Sequence, residues 1–297
     1  MNRILLIFCL LATTFVRAHA EDVFSEWRQG WLQKAEDAKP ELKETVVRPV
    51  AVVKAVQDNA AFQGWKYVAT DDDPKAFTKG SFKTVKEITL DFGKHLTGYF
   101  SFHTKTLARC QDAPIRLKLT FGELPAEMNT PLDPWQGDLS RAWMQDIIID
   151  VPELDKVVTL ERRLAFRYLR IELLGTPADC DWGIDDVWFT AVSSADAVKT
   201  QLRASCPDII KSIFCVGTET LHECMQTVYE DGPKRDQRLW AGDLYLESLA
   251  NSCSFQNWDL TRRCLYLFAG LSNDEGIVMG NCFEKPQPHP QYGCYCL

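Results

Sequence analysis

The spacing of apolar residues changes once along this chain, and that change constrains its fold more than any other feature. Between residues 86 and 193 apolar side chains recur at every second position. In "KEITLDFGKHLTGYFSFHT" Ile88, Leu90 and Phe92 share one side, Gly93 punctuates the run, and Tyr99 with "FSF" carries the pattern on. "IRLKLTFGE" alternates Ile115, Leu117, Leu119 and Phe121, which sets Arg116, Lys118 and Thr120 on the solvated side. "QDIIIDV" reads as a short buried strand, and "KVVTL", "FRYLRIELLG" and "DVWFTAV" add three more. A strand turns successive side chains to opposite faces, so short alternating runs separated by turn residues predict a β-sandwich.

From about residue 205 the spacing lengthens. "PDIIKSIFCVGTETLHECMQTVYED" places Ile209, Ile213, Val216, Cys224 and Val228 along a helical stripe, with Pro207 near the first turn. A second helix is expected from Gly242 and Asp243 through "LYLESLANSCSFQNW", a third over "LTRRCLYLFAGL", and a loop over 272–293. Upstream, "VFSEWRQGWLQKAEDA" predicts a short amphipathic helix carrying Trp27 and Trp31. The chain therefore divides into residues 1–20, a mixed segment 21–84, a β-sandwich 85–200 and a helical region 201–297. Three helices make a thin core, and an apolar face left so exposed calls for a partner.

The first twenty residues, "MNRILLIFCLLATTFVRAHA", have the form of a secretory signal. Arg3 gives a positive start, Ile4 to Thr13 is an apolar stretch too short to span a bilayer, and "AHA" is a small-x-small cleavage pattern. The mature chain is expected to begin near Glu21, after Ala20, in the periplasm or outside the cell. No other run is long enough for an integral membrane domain. A net charge of −8 over 297 residues argues against nucleic acid, which needs a basic face. The five His show no zinc spacing, and no metal or other cofactor is expected. Six of the eleven Cys (206, 215, 224, 253, 264 and 282) are scattered through the second half at no metal-like spacing. They are expected to be mostly free, buried thiols.

The densest charge cluster, "DGPKRDQRLWAGD" at 231–243, lies between two apolar, helix-like segments. Two arrangements fit it. If a helix runs back through the cluster, Asp236, Trp240, Asp243 and Glu247 share one stripe at about 100° per residue, beside the apolar seam. If the helix begins at Gly242 and Asp243, then Asp231 and Asp236 lie on the preceding loop and can converge on its N-terminus. Asp243 is then also a good N-cap, Glu247 an exposed helix residue, and Lys234, Arg235 and Arg238 a solvated, ion-paired loop. Carboxylates grouped with an indole suit a sugar: ionised acids take hydrogen bonds from hydroxyls, and the C–H face of the ring packs on Trp. Glycoside hydrolysis further needs one protonated and one ionised carboxyl, and crowding raises the pKa of one member of such a group.

The cluster resembles the motif of the bacterial α-L-rhamnosidases, glycoside hydrolase family 78, written roughly D-C-P-x-R-E-x-x-x-W-x-x-D. Asp231, Pro233, Arg235, Trp240 and Asp243 match without a gap. "LDFGKHLTGYFSF", "LTFGELP" and "FRYLRIE" are similar to strand motifs of the sandwich that precedes the family's catalytic domain. The resemblance covers roughly residues 25–297. It implies a multidomain β + α chain, with a jelly-roll-like N-terminal β-sandwich followed by the first helices of an incomplete (α/α)6 barrel. It implies an inverting exo-glycosidase that releases a terminal α-L-rhamnose or similar deoxy sugar from a carbohydrate substrate. Asp236 takes the position of the candidate general acid, Asp231 and Asp243 of sugar-contacting acids, Trp240 of the aromatic wall, and Arg235 completes the substrate-binding set. Gly232 departs from the family's Cys. Gln237 stands where many relatives carry the acid. The general base is expected beyond residue 297, so this chain alone is expected not to turn over. The alternative reading is a non-catalytic carbohydrate-binding β-sandwich protein.

Overall fold

The computed structural model describes residues 25–74, 80–108, 112–138, 140–273 and 275–282. The expected signal at 1–20 and the thiols of Cys294 and Cys296 lie outside them. The chain forms two compact units. One takes residues 44–192 together with Pro233–Asp236, and the other takes the remainder on either side.

The first unit is the expected sandwich. Its strands are β1 (Lys43–Val47), β2 (Ala51–Gln57), β3 (Trp65–Ala69), β4 (Glu87–Ala108), β5 (Ile115–Gly122), β6 (Gln145–Val151), β7 (Val157–Thr159), β8 (Leu164–Gly175) and β9 (Asp181–Ser193). The hydrogen-bonded path runs β1-β9-β4-β8-β5-β6, with β2 on β4 and β3, and β7 on β4. β4 holds 22 residues and serves both parts of the sheet. Glu87 to Asp91 pair with β8, the register then shifts before Leu96, and Gly98 to Ala108 pair with β9. Gly93 sits at the shift with φ +82°, a left-handed angle that glycine adopts without a Cβ penalty.

The alternating residues meet inside. Phe166 packs edge-on against Phe92, Phe121 and Phe189 with ring centres 5.3, 4.9 and 4.8 Å apart, in a cluster that also buries Leu90, Leu117 and Leu119. Two strand expectations change. Thr120 is buried rather than solvated, because the short helix α3 (Pro125–Asn129; α2 is Phe82–Val85) packs across β5 and β8. Its Met128 fits where Gly122 has no Cβ: a Cβ there would come within 2.6 Å of the Met128 sulfur. β6 is not wholly buried. It ends the strand path, so Ile148 is 61% exposed while Gln145 and Val151 point inward.

The second unit is helical. Helix α1 spans 25–37, and α4 (Asp208–Cys224), α5 (Ala241–Ser252) and α6 (Trp258–Gly270) follow. α1 docks on α6: Trp31 stacks on Tyr266 at 5.5 Å, and a Cβ on Gly270 would reach to 2.7 Å from Leu32. Arg263 is buried between them. Its Nε donates to Thr227 O at 2.7 Å and its Nη1 to Ala35 O. The core comprises Leu221, Met225, Tyr229, Leu239, Leu244, Phe255, Leu260 and Phe268. The apolar stripe is split: Val228 joins this core, and the N-terminal part of the stripe lies on the face expected to be exposed. Ile209, Ile213 and Val216 are 60–67% exposed, and α4 buries only Leu221 and Glu223 near its C-terminal end. The pattern was helical as expected, but an apolar stripe specifies a face and not what covers it. The seven described Cys are free, as expected; Cys180, Cys264 and Cys282 are buried, whereas Cys215 and Cys253 are exposed. Among the described residues no helix is long and apolar enough to cross a membrane.

Candidate active site

Segment 231–243 begins with a closed loop. The N–H of Asp231 donates to Arg238 O at 3.0 Å, and the two residues form an antiparallel bridge over 232–237. Inside it Gly232 has φ +65°, Gly232–Asp236 makes one wide π-helical turn, and Gln237 closes it at φ 52°, ψ 42°. Glycine at 232 is suited to its angle. Gln237 is not: a Cβ there costs about 1 kcal/mol, a strain that persists only where the surroundings impose it. Leu239 and Trp240 then pair with Cys282 and Asn281 as β10 (Leu239–Trp240) and β11 (Asn281–Cys282), so the expected loop over 272–293 contains a strand.

α5 starts at Ala241, so the helix does not extend back through the cluster. Asp231, Asp236 and Trp240 precede it on the loop. Asp243 is not the N-cap. Trp240 holds that position without a side-chain capping bond, and Asp243 falls in the first turn, where the positive end of the helix favours an anion.

In the helical unit, Asp231, Asp243, Glu230 and Cys224 surround Glu247. Burial pushes the Glu247 carboxyl up to about 8; the charges of Asp243, Asp231 and Glu230 push the same way, and a hydrogen bond from the Cys224 thiol pulls against them. Glu247 Oε2 is buried and accepts no hydrogen bond. The Cys224 thiol is raised in turn, by burial and then by Glu247, which keeps it a proton donor. Glu247 is therefore a neutral acid at pH 7 on the same helical face as Asp243, four residues before it. One carboxyl protonated beside ionised ones is what acid-assisted cleavage of a glycosidic bond requires. Sequence reasoning put Glu247 on the right stripe and then gave it to solvent. The i, i+4 spacing from Asp243 was the signal that it shares the acids' environment.

The middle of the motif clusters with the sandwich. Lys234 is not solvated. Its side chain is 16% exposed and forms ion pairs with Glu127 and, at 3.5 Å, with Glu123. His95 Nε2 lies 3.0 Å from Glu123 Oε1. Burial opposes the Glu123 charge, but His95 and Lys234 outweigh it and hold the carboxyl below its usual range. Gln145 donates to Lys234 O at 3.4 Å and accepts from Ala165 N–H at 3.3 Å. Arg235 is exposed, with Nη2 3.9 Å from Asp236 Oδ2, and the Asp236 side chain is only 7% exposed. Of the expected site residues, Asp231, Trp240 and Asp243 thus belong to the helical unit and Arg235 and Asp236 to the sandwich unit.

A family model described as the glycosyl hydrolase family 78 alpha-rhamnosidase N-terminal domain matches residues 49–191. Among solved structures, a rhamnosidase from Klebsiella oxytoca with rhamnose bound is 37% identical with a TM-score of 0.81; the match covers 87% of this chain and 50% of that one. An alpha-L-rhamnosidase of Dictyoglumus thermophilum matches at 16% identity and TM-score 0.51, covering 82% of this chain and 23% of that one. The Streptomyces avermitilis alpha-L-rhamnosidase complexed with L-rhamnose matches at 14% and 0.52, covering 82% and 20%. These last two are similar in fold. This chain spans about half the length of the Klebsiella structure. No curated protein sequence matches it.

Proposed function

We propose that this chain, whose residues 49–191 match the glycosyl hydrolase family 78 alpha-rhamnosidase N-terminal domain, is part of an exported, inverting exo-glycosidase acting on a terminal α-L-rhamnose or similar deoxy sugar. The observation that carries this reading is the placement of Glu247 four residues after Asp243 on α5, with its Oε2 buried and burial raising its carboxyl to about 8. Asp231 and Asp243 take hydrogen bonds from sugar hydroxyls, Trp240 packs on the C–H face of the ring, and Arg235 orients polar groups of the substrate. Asp236 is the general acid by its place in the motif: it gives a proton to the glycosidic oxygen as the bond to the anomeric carbon breaks. Glu247 is the second candidate for that role, favoured by its protonation.

The general base, which removes a proton from the attacking water, is in this reading none of the motif residues, and this chain spans about half the length of the Klebsiella structure. The helices α4 to α6 are in this reading the first of an (α/α)6 barrel. The chain alone binds the sugar and does not turn it over.

Calorimetry with L-rhamnose, alongside an assay with p-nitrophenyl α-L-rhamnopyranoside, tests this. We expect saturable binding without hydrolysis, weakened about tenfold by Asp231→Asn or Asp243→Asn, the loss of roughly one hydrogen-bonded contact. Turnover that Asp236→Asn abolishes would show instead that the chain is a complete catalyst. Binding indifferent to both aspartate variants would remove the sugar from this motif.

A further inference from the structure

A cleft of mixed polar and apolar lining lies in the sandwich unit, built from none of the motif residues. It measures about 360 Å³ and opens between the β2–β3 hairpin, the start of β4 and the Arg170 position of β8. That volume is near the lower end for small-molecule sites, roughly 300–1,000 Å³, and suits a single ring.

Its lining carries hydrogen-bonding capacity that the protein leaves unused. Asn129 Nδ2 donates to Tyr67 Oη at 3.3 Å and to Pro125 O at 2.7 Å, and no hydrogen bond reaches its Oδ1 among the described residues. Tyr67 accepts from Asn129, and its own O–H proton goes to no protein acceptor among them. Burial raises the Tyr67 hydroxyl, so it stays a donor. Arg170 Nε is buried with no hydrogen-bond partner, although Glu172 Oε2 lies 3.4 Å away. Native proteins satisfy nearly all buried polar groups, so the buried Arg170 Nε calls for an occupant, with the open Asn129 and Tyr67 groups on the same lining.

The charges select its kind. Lys54, Arg170, Asp72 and Glu87 all line it, two positive side chains and two negative. A phosphate or carboxylate ligand would meet the two acids and an apolar one would strand the polar groups. A neutral polyol satisfies donors and acceptors together. We propose that this cleft is a non-catalytic sugar site holding one neutral pyranose ring through Tyr67, Asn129 and Arg170. It anchors a carbohydrate at a point separate from any cleavage chemistry at residues 231–247.

Saturation-transfer difference NMR on the intact chain, titrated with D-galactose, D-glucose and D-mannose, none of them a deoxy sugar of the kind proposed at the motif, decides the matter. We expect at least one to bind with a Kd on the order of 1 mM. Arg170→Gln and Tyr67→Phe should each weaken it about tenfold, and Ala55→Trp, which fills the cleft, should abolish it. Glucuronate, the charged counterpart, should not bind more tightly. The proposal is overturned if no sugar binds, or if binding survives Tyr67→Phe and Ala55→Trp in proteins that melt like the parent. Binding lost only in Asp231→Asn would likewise overturn it and support the motif site alone.

Discussion

Glu247 follows Asp243 by four residues on α5, and the charge of the aspartate reinforces the burial that raises the glutamate carboxyl to about 8. This neighbouring pair joins stability and chemistry in one measurable quantity, the proton on Glu247.

Because the folded-state pKa lies above the ordinary value of 4.5, the native protein holds a proton that the unfolded chain releases. Stability is therefore full below the unfolded value and falls as pH rises towards 8. With about 1.4 kcal/mol per pKa unit, the loss has an upper bound on the order of 5 kcal/mol. Glu247→Gln should flatten this slope, so that urea melts of parent and variant diverge steadily between pH 5 and pH 9, the variant being the more stable at the alkaline end.

Lys234 is held between Glu123 and Glu127. Lys234→Met leaves two acids together and should destabilise the sandwich by about 2–4 kcal/mol, as breaking a largely buried pair does. Combining it with Glu127→Gln should recover part of that loss in a double-mutant cycle. Glu123 adds an acid-side signature. Its depressed pKa supplies stability above the unfolded value that is lost as pH falls through the folded one, and without Lys234 that acid loss should shrink.

The loop angles give opposite expectations at two positions. Gln237→Gly relieves a left-handed residue and should stabilise by about 0.5–1 kcal/mol, whereas Gly232→Ala should cost about 1 kcal/mol. Thermal melts of the two variants should move in opposite directions. A shift of the same sign in both would mean the loop relaxes away from these angles.

Arg263 ties α1 to α6 through carbonyl contacts at Thr227 and Ala35. Arg263→Leu strands both carbonyls and should cost about 2–4 kcal/mol. It should also speed limited proteolysis near residues 38–42, with the released segment identified by mass spectrometry.

Much of this fold could be read from spacing. Ile88, Leu90, Phe92, Ile115, Leu117, Leu119 and Phe121 were expected on one face and all are buried. Thr120 escaped because its burial depends on α3, a five-residue helix whose own sequence has no periodic signal. Glu247 escaped for a related reason. Burial raises its carboxyl first, then Asp243 and, from up to 17 positions away in sequence, Asp231 and Glu230, which meet it only in the folded chain. Asp231, Trp240 and Asp243 were singled out because a motif stores them at fixed offsets. Their partition between two units, with Arg235 and Asp236 in the other, was not.

That partition has a genetic consequence. The chain passes between the two units at 43/44, 192/193, 232/233 and 236/237. A recombination breakpoint at 192/193 would carry away the strands but leave Pro233–Asp236 behind, and with them the lysine that neutralises Glu127. Neither unit can therefore be exchanged as a contiguous cassette. Shuffling between homologues should succeed only where the donor supplies residues 233–236 along with the sandwich, so the four-residue insert binds the inheritance of the sheet to that of the sugar-contacting acids proposed on either side of it.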